Sequence, residues 1–495
     1  MTRRSSSYVT RPTVALPPGA TVHQGTAVWS AVADAVAALD RPVVVVDAYP
    51  GADVDAITAA ARDALPGWGV VDAEERTALP TDALDALVGP ALTDDRVFGV
   101  LSHFDVEQFL DPAGVRRLRS EVGDRTAPVL VVGWGAARIL PDADLLVLAD
   151  MARWELQRRQ RAGAANWHAA NGDEDALRKY KRGFFVEWRT ADDHKQTLLG
   201  RVDLVIDTNR GVDDVTAVEG GAFRAALRTA SRSPFRPVPF FDPGVWGGQW
   251  MKEHLGLDPD VPNYAWCFDC VPEENSLLLA PTVGPAHDAD ADAVPVVEVP
   301  AMDLVLAEPR ALLGERTFAR FGAEFPIRFD FLDTMGGGNL SLQVHPLTDY
   351  IQRTFGMHYT QDESYYMLDA GPAATVYLGV KEGVDAAAMA DDLRVAAAGG
   401  EPFDAERYVN RFPAAKHDHF AIPAGTVHCS GVDSMVLEIS ATPFIFTFKL
   451  GLGACRPRRH PAARAPGPRT REHPVGARHR LGARPPGRPG RGPAG

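Results

Sequence analysis

Gln343 and His345 stand two residues apart in the string LSLQVHP, so on a strand both side chains point to one face. Eighteen positions later Glu363 opens the strand-like run ESYYML, and His428 follows the turn from Pro423 to Gly425 in IPAGTVH. One amide, two imidazoles and one carboxylate are the mixed oxygen and nitrogen donors expected of a zinc-type site that leaves a position for water or substrate. A single carboxylate against a dication leaves net positive charge, which can stabilise an anionic intermediate.

Other candidates are weaker. Cys267 and Cys270 form CFDC, without the second ligand pair of a zinc knuckle, and read as structural. His417 and His419 in KHDHFAIP share a strand face just before the His428 turn and read as solvated or hydrogen-bonded; His358 lies near the site in sequence.

Something must position these donors, and the chain carries two textures. From about Gly19 to Asn209, helical spacing (Val28 to Leu39) alternates with short apolar runs at Val43 to Val46, Val97 to Leu101, Ala127 to Trp134, Asp144 to Asp150 and Val202 to Thr208. That pattern predicts a parallel sheet covered on both faces, an α/β domain. The loop after VVVV reads DAYPGADVD, with carboxylates where a phosphate loop needs Gly-Lys-Ser/Thr. With the basic segments ADMARWELQRRQRAG and RKYKRGFFVEWR, the layout resembles a uridine-kinase-type P-loop domain that has lost its phosphate loop, and no kinase activity is expected. The arginines are expected to pair with an acidic domain. RTASRSPFRPVP reads as a linker, and after it short strands separated by Gly/Pro turns predict an all-β domain.

Four strings in that second half, in order, carry a more specific resemblance. DPGVWGGQW, ALLGERTFARFGAEFPIRFDFLD, LSLQVHP and VYLGVKEGVD make the region from Phe240 to Lys449 similar to class I mannose-6-phosphate isomerases, a zinc-dependent cupin (jelly-roll) family that interconverts mannose 6-phosphate and fructose 6-phosphate. The resemblance implies Zn²⁺ held by Gln343, His345, Glu363 and His428. It also places Lys449 where the family has a cation near the sugar, able to hold phosphate or stabilise an enediolate. Two family lysines are replaced, by Gln361 and by Asp330, and Arg328, Lys381 or Arg353 could supply charge instead; Lys449 and Arg328 are the expected catalytic cations. Two functions follow as expectations: a sugar-phosphate isomerase working by proton transfer through an enediol(ate), or a metal-binding sensor of sugar phosphates without catalysis.

The expected organisation is a flexible arm over 1–18, the α/β domain over 19–227, a linker over 228–239, the cupin domain over 240–450 and a disordered tail over 451–495. The 495 residues carry a formal charge of −14. The 45 residues from Gly451 hold 11 Arg, one Glu and neither Asp nor Lys, so the tail is +10 and the body −24. An acidic body argues against nucleic-acid or anionic-membrane partners, and a small-molecule sugar phosphate is expected, with a homo-oligomer open. Lack of a signal-like N-terminus and few cysteines predict a cytoplasmic protein. The tail reads as a frameshift product. With GC-rich codons, LGLGACRPRRHP read in another frame becomes Asp-Trp-Gly-Arg-Val-Gly-Leu-Asp-Gly-Ile, similar to the family's continuation after FKL. Independent DNA reads across the Leu450 codon are expected to show the shift; an unbroken frame refutes it.

Overall fold

Four consecutive β-branched residues from Val43 to Val46 offer no polar face, so the strand they form needs cover on both sides. In the computed structural model, which describes residues 6–281, 295–441 and 446–451, they belong to the Val43–Ala48 strand near the middle of a seven-stranded sheet. Val129–Gly133 and Leu145–Asp150 flank it in parallel, and Gly69–Asp72 and Leu204–Asp207 extend the parallel set outward. Thr216–Glu219 and Val22–Gln24 finish one edge antiparallel. Val44 and Val46 face one apolar core and Val43 and Val45 the other, as a doubly covered sheet requires.

The crevice beyond the carboxyl ends of such strands is where a ligand would bind. Here it is filled. Gly51 adopts φ 107°, and Leu156 from the Arg153–Arg161 helix lies so close that a Cβ at position 51 would meet its Cδ2 at 1.9 Å. The neighbouring arginines are engaged by carboxylates: Arg153 by Asp192, Arg158 and Arg159 by Glu155, and Arg182 by Asp85 and Glu187.

Four expectations are corrected. Val97 to Leu101 is a loop and not a strand, because Phe98 turns into an aromatic core and the Leu101 N–H donates to the Phe355 carbonyl (2.9 Å). The arm is docked over its described part: Thr13–Ala15 pairs in parallel with Ser276–Ala280, and the Tyr8 hydroxyl bonds to Asp269. The second half is not all-β, since helices such as Ala301–Ala307, Thr348–Phe355 and Ala386–Ala397 interrupt its strands. The expected linker begins inside the Gly220–Ala230 helix, and Val238 bridges to Ser276. Leu277, Leu279, Val299 and Leu304 share a core with Val205, Val218 and Phe223, so the two halves are packed together well past residue 240. The expected tail lies outside the described residues beyond Gly451.

The donor strings lie on two facing antiparallel sheets. One runs His419–Ile422, Asp362–Ala370, Ser434–Ala441, Arg328–Asp333, Trp266–Cys270, Phe240–Asp242; the other runs Val409–Pro413, Thr375–Val380, His428–Ser430, Leu342–Val344, Phe448–Gly451. Leu332, Tyr365, Met367 and Val436 from the first pack on Leu342, Val376 and Cys429 from the second. No described helix is long and apolar enough to cross a membrane.

Gly51→Ala is expected to cost about 1–3 kcal/mol, from a strained positive φ and displacement of Leu156. A lowered urea midpoint at unchanged m-value checks this.

Candidate metal centre

Period-2 alternation sends Glu363, Tyr365 and Met367 inward from one sheet, while Gln343 and His428 sit directly opposite each other on neighbouring strands of the other. His345 follows immediately after the Leu342–Val344 strand. His345, Glu363 and His428 converge, with one potential ligand atom from each lying within 4.8 Å of the others, and all three are buried. His345 Nε2 is 3.1 Å from Glu363 Oε2, and His428 Nε2 is 2.6 Å from Glu363 Oε1. The Gln343 amide is 3.2 Å from His428 Nε2, and turning it by 180° puts its oxygen there instead.

The opposite ring nitrogens explain this arrangement. His345 Nδ1 is 2.9 Å from the Phe446 carbonyl and His428 Nδ1 is 2.8 Å from the Thr426 carbonyl. A carbonyl only accepts, so each Nδ1 carries the hydrogen, and in the neutral ring Nε2 is a bare lone pair. Two such lone pairs aimed at one carboxylate repel it unless a cation lies between. Backbone-anchored imidazoles are the usual way a protein orients metal-binding histidines. These three donors therefore fit a zinc-type ion, and the Gln343 amide lies close enough to offer a fourth.

Burial alone would raise the Glu363 carboxyl, and positive charge at the positions of the His428 and His345 nitrogens overrides it and holds it well below the usual carboxylate range; with neutral rings that charge has to come from a cation held between them. The Gln361 amide donates to Glu363 Oε2 (3.1 Å), so the residue replacing a family lysine touches the same carboxylate. Lys449 pairs with Gln343 across the strands, on the side away from His428; the three share one face, and burial lowers the Lys449 amine to about 8.

Arg328 is brought only partway. It lies in the row Glu363, Ser440, Arg328, two strands or about 10 Å from Glu363, and its guanidinium is 3.8 Å from Glu273. Asp330, replacing the other lysine, sits beside Glu438 in the next row. Burial, opposed by Arg328 but reinforced by Glu274 and Glu363, pushes Asp330 up to about 7; burial with Glu363 and Asp330 raises Glu438 further. Lys381 is exposed on the Glu406 carbonyl and Arg353 is exposed on its helix, so neither reaches the centre.

His417 and His419 are exposed, His417 bonding the Tyr366 hydroxyl (2.7 Å), and His358 is exposed, its carbonyl accepting from Gln352. The thiols of Cys267 and Cys270 are free; burial holds both up, Cys270 to about 12, which suits a structural role. Sequence reasoning missed Glu438, whose signal was an acidic residue at an inward position of SMVLEISA. It also missed Glu274, which accepts from Tyr180 (3.1 Å) and Gln157 of the N-terminal half.

Residues 28–232 match a family described as a domain of unknown function (DUF8485). Over 196 residues the chain is 28% identical to mannose-6-phosphate isomerase of Streptococcus mutans, covering 39% of this chain and 53% of that protein. The chain thus spans about half the length of the curated relative it matches. Among solved structures, mannose 6-phosphate isomerase of Bacillus subtilis is similar at 19% identity and TM-score 0.33, over 46% of this chain and 66% of that one. A putative mannosephosphate isomerase of Archaeoglobus fulgidus is similar at 19% identity and TM-score 0.34, over 43% and 62%. Part of the chain is therefore distantly homologous to mannose-6-phosphate isomerases.

Glu363→Gln is expected to weaken Zn²⁺ binding by more than the roughly 10- to 100-fold that loss of an outer partner costs. Competition against a chromophoric chelator measures this; wild-type affinity in the variant removes Glu363 from the ligand set.

Proposed function

We propose that the chain is a metal-dependent aldose–ketose isomerase of sugar phosphates, interconverting mannose 6-phosphate and fructose 6-phosphate with Zn²⁺. The observation that carries this reading is the convergence of two carbonyl-anchored imidazoles on the buried Glu363 carboxylate. Gln343, His345, Glu363 and His428 would hold the ion. When bound, Zn²⁺ supplies Lewis-acid stabilisation of negative charge on substrate oxygens. Lys449, one strand from Gln343 on the same face, would place its ammonium near the oxyanion that forms when a proton leaves the carbon next to the carbonyl. A base takes that proton from C2 and delivers one to C1, while the hydroxyl proton on the C2 oxygen passes to the C1 oxygen, which completes the aldose-to-ketose exchange. Arg328, engaged by Glu273, is a second-rank cation in this reading.

A specific observation favours the second reading, a metal-binding sensor without catalysis. Where the family has lysines, this chain puts Gln361 on the ligand carboxylate and Asp330 beside Glu438, with Glu274 also acting on Asp330. That acidity weakens the hold on a phosphate dianion.

Purified protein loaded with Zn²⁺ and given mannose 6-phosphate is expected to form fructose 6-phosphate, to lose turnover with a chelator and to regain it with Zn²⁺. Lys449→Met is expected to lower kcat about 100-fold. A folded, metal-loaded chain that binds the sugar phosphate without turnover selects the sensor.

A further inference from the structure

His345 is held from outside the β-sandwich. The carbonyl that fixes its Nδ1 belongs to Phe446, and the Phe446 ring is fully buried in an aromatic core built largely by the N-terminal half. Phe98 stacks on it at 5.1 Å between centroids and 15° between planes, and Phe185 meets it edge-on at 6.2 Å. Phe185 comes from a π-helical turn, Gly183–Glu187, a rare geometry that recurs at functional sites. Phe98 comes from the loop expected as a strand, and that loop can approach only because residue 99 is glycine: a Cβ there would meet the Ala91 carbonyl at 2.6 Å and the Phe185 ring at 2.9 Å.

The same wall holds the chain on the other side of His345. The Thr348–Phe355 helix starts three residues after it, and Phe355 at its end packs on Phe98 (5.5 Å) and Phe446 (5.1 Å). Leu101 N–H donates to the Phe355 carbonyl (2.9 Å), and the Ser102 N–H and hydroxyl both donate to the Phe185 carbonyl (3.1 and 2.7 Å). Both the partner of the imidazole and the segment that follows it thus rest on residues 98–102 and 183–187.

We infer that Phe98 and Phe446 are positioning residues for the metal centre, and that the N-terminal half acts as a clamp setting the His345 imidazole through the Phe446 carbonyl. This rests on the metal-centre reading above and assigns the matched domain a role in it: metal affinity is a property of both halves together. Moving Phe446 would shift its carbonyl, free the imidazole to rotate and misdirect Nε2.

The test measures Zn²⁺ affinity of the full chain by chelator competition, with visible absorption of the Co²⁺-loaded protein reporting ligand geometry. Phe98→Leu and Phe446→Leu are expected to weaken Zn²⁺ about 10- to 100-fold and to change the Co²⁺ spectrum. Phe109→Leu loosens the same core at rings of Trp134 and Trp167, and is expected to leave affinity within about twofold. Phe98→Met, closer in volume, replaces the leucine variant if that chain does not fold. Wild-type affinity in the folded Phe98 variant overturns the clamp, as does an equal loss in Phe109→Leu. A wild-type chain that binds Zn²⁺ without isomerising sugar phosphate defeats the isomerase reading and leaves the clamp to be judged on these affinities. A wild-type chain that binds no Zn²⁺ overturns both.

Discussion

One buried carboxylate facing two ring nitrogens is the constraint on which the second half of the molecule depends. Glu363 enters from one sheet, His428 from the other, and His345 from the end of a neighbouring strand, so the three meet only if the sheets face each other in one register. A one-residue slip would send Glu363 to the outer surface. A charge taken this far from water is costly unless paired, and the two imidazoles, which backbone carbonyls forbid from turning away, aim lone pairs that fit a cation beside it.

Around that centre the buried charge is mostly acidic. Asp330, Glu438, Glu273 and Glu274 lie on or beside the same inward surface, opposed by Arg328 and, farther off, Arg153. Burial raises Asp330, Glu438 and Glu273 from the usual carboxylate value.

The donors were readable because each had a local signature: two-residue spacing for Gln343 and His345, an acidic residue opening an aromatic strand for Glu363, and a Pro/Gly turn before His428. The parallel sheet was readable from uninterrupted β-branched runs such as Val43 to Val46. Val97 to Leu101 has that same apolar texture, yet its partners are aromatic rings more than 250 positions away, information no local window contains. The role of Phe446 was hidden for a related reason, since what it offers His345 is a carbonyl, which every residue has. Asp330 was seen as a lost lysine, whereas its pairing with Glu438 depends on strand register.

The parallel pairing of Thr13–Ala15 with Ser276–Ala280 bears on how the chain is made. A strand near the start cannot take its place until a partner some 260 residues later has left the ribosome. At about 5–20 residues per second that is a wait of roughly 13–50 s. During synthesis the first half exists with the apolar face of Val205, Val218 and Phe223 still uncovered, because Leu277, Leu279, Val299 and Leu304 complete that core. The first half thus emerges with an apolar face that waits for the middle of the chain, and the amino-terminal segment can dock only once that middle strand is available.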